Sequence, residues 1–408
     1  MILKSDGFTG TVATDWFQNA DLSYHQFEQT YWRRQPWAAQ GLFENLLESI
    51  SEQLNKKKLL ELSADEMIDT RIISRQPAMS KDDHPYDYEL ALGPFEQASL
   101  VTGEMLMLQG LEQHLPVIAE LLTNHFGFLP RWRIDDVMAS YGNTGASCGP
   151  HFDHYDVFLL QVRGEKQWLL ADGPFSDADL LPDVDIRLLE HFPFSQTLTQ
   201  SAGDLLYIPP GVGHYGIASD DSLTLSIGLR NPTLVEMISS LADQITDSIT
   251  TTETLDDQLG AADMGLQAMD IEQLSSRLIP VLSQPEAISR WFGCYMTEPP
   301  RPELIEPGDE INLDWDNLDA QTQQGYLVCH LATRLCHQAR ASDTLLFVNG
   351  EALEAPADVN NWFAPLARLR TIPLTLIPAD PVQQALVTYL LDTGAVTLEG
   401  IDSPSAQF

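Results

Sequence analysis

The sequence predicts an α+β protein whose central region is a β-sandwich or barrel set between helical stretches. Three observations carry this. From about residue 131 to about residue 230, short apolar segments alternate with turn residues. On either side, apolar residues recur at helical intervals. With 408 residues and 44% hydrophobic content, the chain can bury the cores of two or three domains.

In chain order, residues 1–130 mix helix-like and irregular stretches. Residues 24–34 are aromatic-rich and amphipathic. Over 110–126, Leu111, Leu115, Ile118, Leu121 and Leu122 keep a helical spacing. The run Lys56-Lys57-Lys58 reads as a solvated helix face and is too short to argue for nucleic acid. The strand-like segments are 133–141, 157–162, 166–171, 205–208 and 223–229. Gly142-Asn143, Arg163-Gly164-Glu165, Ala202-Gly203-Asp204 and Pro209-Pro210-Gly211 punctuate them. Residues 156–172 read as a hairpin closed by Arg163-Gly164-Glu165. After Pro232, Leu234, Met237, Ile238, Leu241 and Ile245 form one apolar stripe, a packing face within the chain or across a dimer. Residues 269–292 continue in helical fashion, and 297–303 read as a linker. The last hundred residues combine a helix-like 323–340, a strand at 344–348, a turn at Asn349-Gly350 and a helix then strand over 382–398. That mixture fits a small winged-helix-like domain. Cys329 and Cys336, each followed by His, sit seven residues apart, which fits one helix face better than a zinc site.

The formal charge is −37, from 59 acidic and 22 basic side chains. Such a surface repels nucleic-acid phosphates and anionic membranes, and attracts a basic partner. An acid-rich proteome is the alternative explanation. The N-terminal residues lack an apolar signal core, and no apolar run approaches the ~20 residues of a membrane span. Four cysteines make no disulfide framework, so a cytoplasmic location is expected.

The chemistry concentrates in the β region. His151-Phe152-Asp153 is a His-x-Asp motif, and on a strand residues i and i+2 share a face. His214 follows the Ile208-Pro209-Pro210-Gly211 turn. Two imidazoles and a carboxylate on one face of a metal leave three positions open, the facial triad of non-haem Fe(II) oxygenases. The alternative is that these histidines are ordinary polar residues at strand ends. His154 competes as a ligand, but i and i+3 face opposite ways on a strand. Lys166 is the only lysine after residue 81 and shares a strand face with Trp168 and Leu170. It either anchors a ligand carboxylate or points to solvent beside Glu165.

The runs Trp132-Arg133-Ile134-Asp135-Asp136-Val137-Met138, Gly149-Pro150-His151-Phe152-Asp153-His154-Tyr155-Asp156-Val157-Phe158 and Tyr207-Ile208-Pro209-Pro210-Gly211-Val212-Gly213-His214 resemble the bacterial ribosomal oxygenases. Fainter likeness extends over Asp69-Thr70-Arg71-Ile72-Ile73, Gly93-Pro94-Phe95-Glu96 and Gln284-Pro285-Glu286, and so over most of 15–295. The resemblance implies a double-stranded β-helix (cupin/JmjC) core with flanking helices over 1–230. It further implies a helical dimerisation domain over 231–297 and a winged-helix-like domain over 298–408. It implies an Fe(II)- and 2-oxoglutarate-dependent dioxygenase, with O2 as the second co-substrate, that hydroxylates an arginine of the sixteenth large-subunit ribosomal protein.

On that likeness His151, Asp153 and His214 match the iron ligands. Lys166 matches the cation that grips the far carboxylate of 2-oxoglutarate. A Thr that related asparaginyl hydroxylases carry three residues before the first ligand is Cys148 here, so that contact is not carried over. Thr224 and Ser226 share a strand face and either hydrogen-bond 2-oxoglutarate or point outward. Tyr155 and Asp156 are candidates for the substrate on proximity, or else hairpin packing. The partners implied are a basic ribosomal protein and a second copy of the chain, with no membrane and no direct nucleic-acid contact. The competing readings are an oxygenase acting on histidine or lysine, and a catalytically silent cupin that binds a partner. The intact triad plus Lys166 disfavours the silent cupin.

Overall fold

The computed structural model describes residues 20, 22–75, 88–96, 99–248, 268–308, 315 and 325–400; Lys4, Lys81 and the N-terminal segment read for a targeting signal lie outside them. The chain divides at Asn231/Pro232 into two compact units.

The first unit carries helices α1 (Tyr24–Thr30), α2 (Leu47–Gln53), α3 (Lys56–Leu62) and α4 (Pro116–His125). Ser23 and Gln26 form a capping box that starts α1, and the Asn55 side chain accepts from the Lys58 N–H to start α3. Its strands are β1 (Trp37–Ala39), β2 (Thr70–Arg75), β3 (Tyr88–Leu92), β4 (Glu104–Leu108), β5 (Ile134–Gly142), β6 (Val157–Arg163), β7 (Glu165–Ala171), β8 (Phe194–Ser201), β9 (Leu205–Ile208), β10 (Gly213–Ala218) and β11 (Ser222–Leu229). They form an eight-stranded sheet, β1-β9-β6-β11-β5-β4-β2-β3, and a three-stranded sheet, β10-β7-β8.

Strand alternation decides what each face of the large sheet does. Val137, Ala139, Phe158, Leu160, Tyr207, Leu223, Leu225 and Ile227 pack in one cluster with Phe27, Ile50, Leu59 and Ile118 from the helices. Val157, Leu159, Leu206 and Ile208 turn the other way, against Trp168 and Leu170 of the small sheet. A β5 or β11 residue of opposite parity therefore faces the space between the sheets.

Residues 156–172 are not a hairpin. β6 pairs with β9 and β11, whereas β7 pairs with β8 and β10, so the link between them crosses from one sheet to the other. Strand, turn and strand read alike in either arrangement; tertiary pairing separates them. The crossing needs Gly164, whose φ is +66° and where a Cβ would lie 2.4 Å from the Asp221 carbonyl oxygen.

The second unit opens with α5 (Leu234–Ser248), α6 (Ala268–Leu282) and α7 (Pro285–Thr297). There follow β12 (Tyr326–Cys329), β13 (Leu335–Ala339), β14 (Asp343–Val348), β15 (Glu351–Pro356), α8 (Asn360–Leu369), β16 (Thr371–Pro373), α9 (Pro381–Asp392) and β17 (Val396–Glu399). The strands make two three-stranded sheets, β16-β12-β17 and β13-β14-β15. Trp362, Phe363 and Leu366 of α8 and Val387 and Leu390 of α9 pack on Leu327 and Leu346. The helix expected over 323–340 is instead two strands, with residues 323 and 324 outside the described ones. A run of Leu, Val and Cys suits either period, and Leu327 and Cys329 turn inward while Val328 is less buried. Cys329 and Cys336 thus sit on different sheets, and the metal-ligand grouping found among the described residues lies elsewhere.

Candidate metal centre and its cavity

A cavity of about 360 Å³ lies between the two sheets of the first unit. Its walls come from the inner parity of β5 (Asp136, Met138, Ser140), β6 (Val157, Leu159), β7 (Lys166, Trp168) and β11 (Ser226, Gly228).

His151, Asp153 and His214 meet in this cavity, with one donor atom from each lying within 4.8 Å of the others. His151 and Asp153 lie in the loop before β6 and not in a strand as expected. His151 is held by a single antiparallel bridge, its N–H on the His214 carbonyl at 3.0 Å and the His214 N–H on its own carbonyl at 2.7 Å. That pairing sets the two rings side by side, with centroids 4.2 Å apart. The Gly211 N–H donates to the Asp153 carbonyl at 2.9 Å and draws the Pro-Pro-Gly turn onto the same loop.

Each ring is also fixed about its own axis. His151 Nδ1 lies 2.8 Å from the Gly149 carbonyl oxygen, and His214 Nδ1 lies 3.0 Å from that of Val212. Only a protonated Nδ1 satisfies a carbonyl, so Nε2 keeps its lone pair. His214 Nε2 lies 3.5 Å from Asp153 Oδ2. Burial, followed by the neighbouring His151, pushes the His214 pKa down to about 4, which keeps the imidazole neutral. Two imidazoles and a carboxylate, with Nε2 donors preset by backbone carbonyls, fit a divalent metal bound on one face.

Lys166 does not reach solvent; it is 3% exposed. Its Nζ donates to Ser140 Oγ at 3.2 Å and to Thr224 Oγ1 at 3.4 Å, and lies 5.0 Å from the Trp168 ring centroid. No ion pair to it occurs among the described residues, and burial lowers its pKa. A buried ammonium held by hydroxyls and an aromatic face lacks a counter-charge, so it fits an anionic ligand. Cys148 lines the same cavity, its thiol pKa raised by burial and opposed by the Lys166 charge.

The remaining candidates separate. Ser226 lines the cavity, whereas Thr224 sits behind it under Lys166. Tyr155 lines the cavity, its phenol pKa raised chiefly by the Asp153 charge. Asp156 does not face the cavity, which corrects its reading as a substrate contact. It is fully buried on the helical side, accepts the Tyr207 O–H at 2.6 Å and lies 3.8 Å from Arg33 Nε. His154 is exposed, on Asp177 at 3.0 Å. Asp136, which the sequence reading did not single out, lines the cavity opposite Tyr155 across Gly228. Its signal was parity, since it shares a strand face with Met138 and Ser140.

A JmjC domain family matches residues 121–237, and a ROXA-like winged helix matches residues 280–397. The Escherichia coli ribosomal protein uL16 3-hydroxylase is 29% identical over 345 residues, 82% of this chain and 86% of that protein. The solved structure of E. coli ycfD matches with a TM-score of 0.78 at 25% identity, covering 93% of this chain and 98% of that one. The chain thus carries a JmjC domain and a ROXA-like winged helix and is similar to ribosomal oxygenases. A structure of E. coli YcfD with cobalt and succinic acid matches at 25% identity and a TM-score of 0.73, covering 93% and 99%. The protein is a 2-oxoglutarate-dependent oxygenase that uses Fe(II) and O2. Its core is the double-stranded β-helix the resemblance implied, and its C-terminal region is a winged helix. Among the described residues, no helix is long and apolar enough to cross a membrane.

Proposed function

We propose that this oxygenase hydroxylates an arginine side chain of the large-subunit ribosomal protein uL16, the sixteenth in bacterial naming. One observation carries the oxygenase chemistry: the His151–Asp153–His214 group and an uncompensated Lys166 open into one cavity. His151, Asp153 and His214 hold Fe(II), and Lys166 grips the far carboxylate of 2-oxoglutarate. Bound iron and 2-oxoglutarate supply the oxidation of an unactivated C–H bond by O2, with succinate and carbon dioxide as by-products. The chain's own residues orient and exclude. The Gly149 and Val212 carbonyls fix the imidazoles, and the buried walls keep water from the reacting carbon.

The arginine target rests on the cavity's other wall. Asp136 offers a carboxylate and Tyr155 a ring face, the two groups a guanidinium seeks. A Cβ at Gly228 would stand 3.1 Å from Asp136 Oδ1 and 3.6 Å from the Tyr155 ring, so glycine keeps the slot between them open. The name of the E. coli relative supports the choice of ribosomal protein. Such a client places the enzyme in the cytoplasm and makes nucleic acid an unnecessary partner.

Fe(II) and 2-oxoglutarate added without air, then O2 and a uL16 fragment, should add one oxygen to an arginine. Oxygen on a histidine overturns the target alone. An unmodified fragment from wild type and His151→Ala alike, with metal bound, overturns the oxygenase assignment of these residues.

We also propose a homodimer formed through the helices of the second unit. Leu234, Val235 and Ile238 on α5 and Ile271, Leu278 and Ile279 on α6 are exposed apolar residues, which a solvated helix pair leaves uncovered at a cost. Sedimentation should give twice the chain mass for wild type and the single mass for an Ile238→Glu, Leu278→Glu variant.

A further inference from the structure

Two buried glutamines stand behind Lys166, one in each sheet. Gln161 on β6 is fully buried and lies directly across the strand pair from Thr224. Its Nε2 donates to the Arg163 carbonyl at 2.7 Å and to Ser222 Oγ at 2.8 Å. Its Oε1 accepts the Thr224 hydroxyl at 2.8 Å. Gln200 on β8 is 2% exposed and lies directly across from Lys166. Its Nε2 donates to the Leu159 carbonyl at 2.6 Å and to the Asp204 carbonyl at 3.0 Å. Its Oε1 accepts the Trp168 indole N–H at 2.8 Å.

The same logic governs both amides. A flip would set an amide oxygen against a backbone carbonyl, so each NH2 is committed to its carbonyl and each Oε1 faces a donor. The Thr224 proton therefore goes to Gln161, and only its lone pairs face the Lys166 ammonium. The Trp168 indole is pinned by its N–H, so its ring face stays on the same ammonium. Gly216 makes room for both, since a Cβ there would come within 2.6 Å of the Trp168 ring and 3.0 Å of Lys166 Cε.

We propose that Gln161 and Gln200 are positioning residues for the co-substrate: through Thr224 and Trp168 they hold the Lys166 ammonium in the place that receives the far carboxylate of 2-oxoglutarate. This rests on the reading of Lys166 given above. Neither glutamine touches the ligand. Their effect is confined to the end of the ligand that carries the second carboxylate, which separates positioning from general damage.

The test is calorimetric titration of the cobalt-loaded protein, without O2, using 2-oxoglutarate and 2-oxobutanoate, which lacks the far carboxylate. Gln161→Met and Gln200→Met should each weaken 2-oxoglutarate about tenfold, the effect of one buried polar contact left unmade, and leave 2-oxobutanoate within about twofold. Gln161→Glu should weaken 2-oxoglutarate further, since a carboxylate then competes for Lys166. Thr224→Val should reproduce Gln161→Met, and Thr224→Ser should restore wild-type affinity, which keeps the question open to an answer if a glutamine variant misfolds. Unchanged 2-oxoglutarate affinity in the glutamine variants, or equal losses for the two acids, overturns the proposal. Lys166→Met separates the two readings. If it leaves 2-oxoglutarate affinity intact, the role of Lys166 falls and this proposal with it; if it alone weakens binding, only the positioning role falls.

Discussion

His214 is held neutral by its surroundings, and that has a price in acid. Its pKa is about 4 in the folded protein against an ordinary 6.5, so between those values the unfolded chain binds the extra proton. Stability is therefore fully present above pH 6.5 and is lost as pH falls toward about 4, by about 3 kcal/mol in the metal-free protein. Urea unfolding at a series of pH values should show this slope, and His214→Gln should flatten it. Asp156 makes the opposite kind of prediction. Asp156→Ala leaves the buried Tyr207 hydroxyl without its acceptor and should cost about 1–3 kcal/mol, while the affinity for 2-oxoglutarate stays near wild type. The triad and Lys166 were legible in the sequence because the motif spacing and the scarcity of lysine single them out. Asp156 was misread because nearness in the chain says nothing about side. Its parity, shared with Phe158 and Leu160 of the helical face, would have excluded it. The same count would have picked out Asp136.

Strands set those parities, and the small sheet sets the tightest of them. β10 lies beside β7, and the Trp168 and Lys166 side chains leave Gly216 no room for a methyl group. Gly216→Ala should displace Trp168 and the Lys166 stem and raise the KM for 2-oxoglutarate more than it lowers kcat, as steady-state kinetics would show. At this scale the sequence marked five of the eleven described strands of the first unit, β5, β6, β7, β9 and β11, because apolar alternation and glycine turns are local. It did not mark which strands pair. The turn at Arg163-Gly164-Glu165 was legible as a turn and illegible as a crossing between sheets. Residues 326–339 were read with the wrong period, because Leu, Val and Cys fit a helix face and a buried strand equally.

Over the whole chain, the charge of −37 bears on how a basic client arrives. The KM for a uL16 fragment should rise with salt through the physiological range while kcat holds, because screening weakens approach and not chemistry. A neutral peptide carrying the same target should show no such rise. The crossing at Gly164 reaches further. It puts Lys166 in the small sheet and its hydroxyl partners, Ser140 and Thr224, in the large one; His214 likewise belongs to the small sheet, while His151 and Asp153 lead into the large one. The two sheets are thus riveted at two points, and each rivet is a proposed ligand subsite. Metal and dicarboxylate together should raise the midpoint of thermal unfolding by more than the sum of their separate shifts, so that site occupancy can be read from a melting curve with no turnover at all.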